Sequence, residues 1–310
     1  MSYVDTAVLL ISHGSSLSYS KKVFDEICDK FKSRTGLDAE VGYMKVENPD
    51  MVQAMEILRK RNPNLKRIIA LPVFLADGIH TRIDIPMILG LEPREADPRH
   101  PDGVYPEGHY LNDLSPIDFD GEIILADSIG ANPKLVDIIN KRVGEALKTS
   151  VKDDARTGVL LLSHGSRLRY NKEFLTELYE QYSKQADYPS SYGFMELSEP
   201  DIPDSANSLI KNEDLERLVV VPVFIAPGMH TKIDIKTILN LIHEKEDKPR
   251  PKSSTQKEIK INRIILEEDP DHAHKYDETV DFEGEILYPD PIGADDILIE
   301  ILEDMVNGVL

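Results

Sequence analysis

Cysteine and tryptophan are almost missing: the 310 residues contain one cysteine, Cys28, and no tryptophan. A single thiol can form neither an intrachain disulfide nor a thiolate metal site. Metal chemistry would therefore rest on nitrogen and oxygen donors, and a reducing, cytoplasmic setting is expected. No apolar run approaches the roughly 18–20 residues that span a bilayer. The opening MSYVDTAVLLIS has no basic segment and leads straight into a strand pattern, which is not how a signal peptide reads. Positive charge is scarce as well, since 36 Lys and Arg against 56 Asp and Glu leave a net charge of −20. Nucleic acid and anionic membrane are poor partners for such a chain, and a polyanionic ligand would need locally gathered donors. No Walker motif is present, so chemistry driven by nucleotide is not expected.

The chain does, however, repeat itself. VLLISHGSSLSYSKKVFDEI from Val8 returns as VLLLSHGSRLRYNKEFLTEL from Val159, and PVFLADGIHTRIDI from Pro72 returns as PVFIAPGMHTKIDI from Pro222. GEIILADSIGA from Gly121 is matched by GEILYPDPIGA from Gly284. Three anchors in one order, about 150 residues apart, define a duplicated domain rather than a solenoid. The expected units are residues 1–150 and 151–310, joined through the polar run SVKDDART. Two such units are expected to pack about a pseudo-two-fold axis, as a homodimer would, with a seam lined by both.

Each half alternates strand and helix patterns. Ala7 to Ile11 is a continuous apolar run ending in Ser-His-Gly-Ser, and Val23, Phe24, Ile27 and Phe31 follow at helical spacing, as do Phe174, Leu175, Leu178 and Tyr182. Arg67 to Leu75 and Arg217 to Ile225 read as the strongest strands, and Glu122 to Ala126 and Glu285 to Tyr288 as the last ones. This alternation predicts a parallel sheet covered on both faces, with ligands beyond the carboxyl ends of its strands. His13 and His80 both fall at that edge, and His164 and His230 repeat the placement. One histidine after a strand is usually a loop residue, and Ser12, Ser15 and Gly14 suffice to turn the chain into a helix. The duplication favours function, because both loops keep their histidine while neighbours change, as Ser16 and Ser18 do to Arg167 and Arg169. Imidazoles so placed accept protons near neutral pH or ligate first-row metals, and four facing one seam would suit cobalt, nickel, iron or zinc.

The strand-SHGS loop, the PVFL-x-x-G-x-HT segment followed by x-x-DIP, and the closing PIG before a helix resemble the class II sirohydrochlorin metal chelatases of cobalamin, coenzyme F430 and siroheme synthesis. The resemblance covers both halves except for two insertions, as in a fused form of the small homodimeric enzymes. It implies two tandem flavodoxin-like α/β domains of three layers, and a lyase that puts nickel, cobalt or iron into a sirohydrochlorin-like tetrapyrrole without ATP, in a cleft between the two halves. No cofactor is implied beyond that metal substrate, and a monomeric pseudodimer is expected. On this resemblance His13 and His164 are the bases and, with His80 and His230, the metal ligands. Substrate contacts fall on Ser12, Gly14 and Ser15, on Ser163, Gly165 and Ser166, on Leu75, Ala76, Asp77, Gly78 and Ile79, and on Ile225, Ala226, Pro227, Gly228 and Met229. Arg82, Lys232, Arg167 and Arg169 are candidate partners for the macrocycle's carboxylates.

The halves differ where relatives carry Met-Glu after the second strand. Met195-Glu196 fits, whereas the first half has Met44-Lys45, which implies Glu196 as acid/base and Lys45 as carboxylate anchor or as a solvated strand end. Asp77 likewise faces Pro227 across the repeat. The insertions Glu92 to Asp120 and His243 to Glu283 read as solvated loops or lids, and the same holds for His100, His109 and the run Asp271-His272-Ala273-His274. Two other readings compete. A noncatalytic tetrapyrrole carrier or metallochaperone would use the same ligands. A histidine phosphatase would need an arginine where Ser12 and Ser163 stand.

Overall fold

The computed structural model describes residues 5–15, 18–107, 111, 117, 119–242 and 278–310. His109 and the histidines of 243–277 lie outside the described residues. In the first half the chain forms β1 (Thr6–Ser12), α1 (Ser18–Thr35), β2 (Asp38–Tyr43), α2 (Met51–Arg61), β3 (Arg67–Pro72), α3 (Ile85–Ile88), β4 (Glu122–Leu125) and α4 (Lys134–Leu147). The second half repeats this with β5 (Thr157–Ser163), α5 (Arg169–Ser183), β6 (Ser190–Phe194), α6 (Ile202–Glu213), β7 (Arg217–Pro222), α7 (Ile235–Ile238), β8 (Glu285–Leu287) and α8 (Asp296–Asn307). A single turn of π-helix, His80–Asp84 and His230–Asp234, precedes α3 and α7.

The sheets are wholly parallel, ordered β2-β1-β3-β4 and β6-β5-β7-β8. Their central strands are buried on both faces, which is why β1 and β5 read as unbroken apolar runs rather than alternating ones. The direction of winding reverses between β1 and β3, and again between β5 and β7, opening a crevice at the carboxyl ends of those strand pairs. The third strands end sooner than their apolar patterns suggest. Beyond Pro72 the carbonyls of Phe74 and Leu75 turn to the loop after β4, accepting from Ile129 and Gly130 N–H at 2.8 and 2.9 Å. The Phe224 and Ile225 carbonyls accept from Ile292 and Gly293 in the same way. This ties the closing Ile-Gly turn to the strand that leads to the second histidine.

α4 and α8 are exchanged between the halves. α4 follows β4 but packs on β7 and α5, and α8 follows β8 but packs on α1 and β3. Their apolar stripes, Leu135, Val136, Ile138, Ile139 and Val143 on α4 and Leu298, Ile299, Ile301 and Leu302 on α8, complete one core that runs from sheet to sheet. The opposite faces of the sheets form two separate cores under α2 with α3 and under α6 with α7. Polar contacts fix the exchange: Arg142 donates to the carbonyls of Pro291 and Ile292 at 3.0 and 2.6 Å, and Lys30 to that of Ala294 at 2.8 Å. The Lys141 ammonium lies 2.6 Å from the buried Asp295 carboxylate.

Candidate functional site

His13 and His80 meet at the β1/β3 switch point, their ring centroids 4.8 Å apart. His13 Nδ1 lies 3.0 Å from the Gly14 carbonyl oxygen, which can only accept, so Nδ1 carries the proton and Nε2 the lone pair. His80 Nδ1 lies 2.5 Å from Asp84 Oδ2, a contact made by histidine and aspartate four residues apart across the π-turn. Asp84 is fully buried, and Arg99, from the insertion, donates to its other oxygen at 2.6 Å. A carboxylate behind one ring nitrogen turns the other outward as a ligand, the pattern found behind metal-binding histidines. Lost hydration holds His13 below the usual imidazole range, and the nearby His80 and Lys45 push in the same direction, outweighing the Gly14 hydrogen bond. It therefore stays neutral, as a ligand must.

The second half repeats the pair with one change of sign. His164 and His230 have centroids 4.6 Å apart, with Nδ1 held by the Gly165 carbonyl at 3.0 Å and by Asp234 Oδ2 at 2.7 Å. Glu196 Oε1 lies 3.4 Å from His164 Nε2, where Lys45 stands in the first half. Both serine loops depend on a glycine. Gly14 and Gly165 have φ of +87° and +90°, and a Cβ on either would stand 1.9 or 1.7 Å from the Lys45 or Glu196 carbonyl oxygen. The loops thus press against the strand ends that carry Lys45 and Glu196, and the Lys45 and Glu196 N–H groups donate back to the His13 and His164 carbonyls at 3.1 and 3.0 Å.

The imidazoles pair within each sheet, His13 with His80 and His164 with His230. Among the described residues the one group of three clustered acidic, histidine or cysteine ligands is Glu199, Asp201 and Asp204, at the start of α6, where Asp201 is occupied in accepting from the Asp204 N–H. Ser12 and Ser163 are buried beneath the loops; Ser163 pairs with Asn171 at 3.2 Å. Ser15 N–H donates to Glu47 at 3.3 Å and Ser166 N–H to Ser198 at 3.1 Å. Leu75, Ala76, Ile225 and Ala226 lean on the shared core. The Gly78 and Gly228 N–H groups donate to the Thr81 and Thr231 hydroxyls at 2.9 Å, just before Ile79 and Met229 lead into the π-turns. Asp77 binds Arg82 at 3.0 Å and Ser128 at 2.9 Å, an internal pin that Pro227 cannot supply.

Sequence reasoning passed over Asp84, Asp234 and Arg99. The aspartates had a signal, the same four-residue spacing after the histidine in both repeats. Arg99 had none, since it lies in an insertion. Arg82 bridges the halves, stacking 5.2 Å from the Tyr170 ring while Tyr170 donates to Glu95 at 2.7 Å. A pocket of about 660 Å³ opens at Glu196, lined by Arg167, Leu168, Arg169, Met195 and Leu197 among others but by neither histidine. A groove of about 1000 Å³ lies instead at the opposite end of the first sheet, around Arg59, Lys60, Lys66 and Phe119, away from the histidines.

The family model described as CbiX matches this chain twice, over residues 7–146 and 158–308. A sirohydrochlorin cobaltochelatase of Methanopyrus kandleri is 37% identical over 142 residues, 46% of this chain and 96% of that protein. Another, of Methanothermobacter thermautotrophicus, is 36% identical over 155 residues, 50% of this chain and 94% of its own length. Among solved structures, SirB from Bacillus subtilis with Fe3+ aligns over 98% of this chain and 94% of its own, with a TM-score of 0.61 at 13% identity, a likeness of fold.

Proposed function

The chain belongs to the CbiX family, and from that premise we propose that it inserts a divalent cobalt, nickel or iron ion into a sirohydrochlorin-like tetrapyrrole, without nucleotide, at the carboxyl ends of its two sheets. The observation that carries this is the doubled imidazole pair with every Nδ1 committed, which directs the Nε2 atoms outward at each switch point. Relatives named sirohydrochlorin cobaltochelatase support the substrate.

Insertion exchanges an ion for the pyrrolic protons, so the site must strip water from the ion and take up two protons near neutral pH. In the second half His164 and His230 present Nε2 to the ion, and Glu196, 3.4 Å from His164 Nε2, takes the first proton and passes it to solvent. His164 accepts the second as the ion leaves it for the ring nitrogens. In the first half His13 and His80 offer the equivalent pair, and Lys45 replaces the base with a cation suited to a macrocycle carboxylate. Units 1–150 and 151–310 act as one fused pair, so no second copy is needed.

The test is anaerobic absorbance of sirohydrochlorin with Co²⁺, Ni²⁺ or Fe²⁺. The expected result is a metal-specific spectral change faster with protein than in its absence, ranking the three ions. Pigment that binds with no acceleration for any ion makes the protein a carrier and overturns the catalytic reading.

A further inference from the structure

We propose that the tetrapyrrole docks on the second half, with Leu197 as its apolar contact and Arg167 and Arg169 as partners of its carboxylates. This rests on the function proposed above and assigns the pigment to one of two nearly equivalent halves.

The starting point is backbone strain kept through the duplication. Val46 and Leu197, equivalent by the repeat, have φ of +67° and +62°, although a β-branched or bulky side chain is rarely found there. Around Val46 the Glu47 N–H donates to the Lys45 carbonyl at 2.7 Å, closing a strained three-residue turn. The hook at Leu197 is stapled from both sides: Glu196 N–H donates to His164 O at 3.0 Å, and the Ser198 hydroxyl accepts from Ser166 N–H at 3.1 Å and donates to Ser166 O at 2.9 Å. Strain of this kind persists only where its surroundings impose it, and it gathers at ligand clamps. The hook brings nothing to the core, because the tips remain 73% and 50% exposed. It delivers an apolar side chain directly after the residue that faces the first histidine.

What separates the halves is charge. The pocket at Glu196, whose carboxylate lies 3.4 Å from His164 Nε2, has an apolar part in Leu168, Met195 and Leu197 and cations in Arg167, Arg169 and Lys172. Its volume of about 660 Å³ falls in the roughly 300–1,000 Å³ range of small-molecule sites. The repeat places Ser16 and Ser18 opposite the two arginines. Glu196, Glu199 and Asp201 also line the pocket; Glu199 and Asp201 accept from the Asp201 and Asp204 N–H groups, and Arg169 has Glu173 3.6 Å away on its own helix, an exposed pair that contributes little. In a molecule of net charge −20 these guanidinium groups are the gathered donors that a polycarboxylate requires. A flat apolar ring with carboxylates around its edge fits this combination, and Leu197 against the ring would set it over His164 and Glu196.

The experiment measures initial insertion rates against sirohydrochlorin concentration, at fixed Co²⁺ and two salt concentrations, for wild type, Arg167→Ala/Arg169→Ala, Leu197→Ser, Leu197→Met and Val46→Ser. The paired arginine variant should raise KM about five- to tenfold with kcat nearly unchanged, and should lose most of the salt dependence of KM. Leu197→Ser should raise KM about fivefold or more, Leu197→Met should recover it, and Val46→Ser should leave it within about twofold. Unchanged KM in both the arginine and Leu197→Ser variants, or an equal rise in Val46→Ser, overturns the assignment. Wild-type protein that neither binds nor converts the pigment overturns the function itself, a failure visible before any variant is compared.

Discussion

At the scale of single residues, the difference between halves closest to the histidines is Lys45 against Glu196. The Lys45 ammonium is one of the charges holding His13 below the usual imidazole range, after desolvation and the neighbouring His80. Lys45→Ala should therefore raise the His13 pKa, because removing a cation favours the imidazolium; an imidazole NMR titration showing no upward movement would contradict this. Glu196→Gln removes the base beside His164, and kcat should fall by about 100-fold with little change in KM, as measured by initial rates. Cys28 lies on the buried face of α1, and burial pushes its thiol up to about 11. It should resist alkylation at pH 8 until the protein unfolds, which a labelling time course against denaturant will show. The four histidines, the glycine turns and the Lys45/Glu196 contrast were all legible in the sequence once the repeat was aligned. Asp84 was written there too, as a histidine and an aspartate four apart in both copies, but only the structure shows it buried behind His80. Arg99 was not legible, since its partner lies in another element and the two insertions differ in length and sequence.

The element scale explains why the histidine loops are rigid. In each, a short turn from a buried strand to a helix is pressed onto the next strand's end, with glycine at the contact. Gly14→Ala or Gly165→Ala meets both a left-handed backbone and an overlap with a carbonyl oxygen 1.9 or 1.7 Å away. The conformation alone costs about 1–2 kcal/mol, and relief of the overlap must displace Lys45 or Glu196. Each variant should melt about 5 °C or more below wild type and lose activity beyond what that destabilisation explains. Calorimetry showing an unchanged Tm would contradict the account. Strand and helix periods located β1, β5, α1 and α5 closely in the sequence. They overran β3 and β7, because Val73 to Leu75 are as apolar as the strand before them, and pattern does not reveal which neighbour an extended segment pairs with. The π-turns were invisible for a related reason: one extra residue in a helical turn leaves no mark on composition.

At the scale of the whole molecule, the exchange of α4 and α8 makes the halves interdependent. An amphipathic stripe at 134–147 announces a helix but not the sheet it covers, so the exchange was beyond the sequence. Leu135, Val136, Ile138, Ile139 and Val143 would each forfeit roughly 1.5–3 kcal/mol on exposure if α4 lost the second half. Their sum rivals the about 5–15 kcal/mol by which a domain is usually stable. Residues 151–310 expressed alone should consequently yield no folded monomer, only a dimer exchanging α8 or a chain that binds hydrophobic dye. A stable monomeric half in analytical ultracentrifugation would refute the interdependence. The central claim is that the imidazole pairs carry metal insertion. Its most direct test is the rate of cobalt insertion into sirohydrochlorin by wild type and by His13→Ala/His164→Ala, with metal content and folding verified. The account predicts that the double variant falls to the protein-free rate while keeping its Tm within a few degrees; insertion at the wild-type rate by the folded double variant would contradict it.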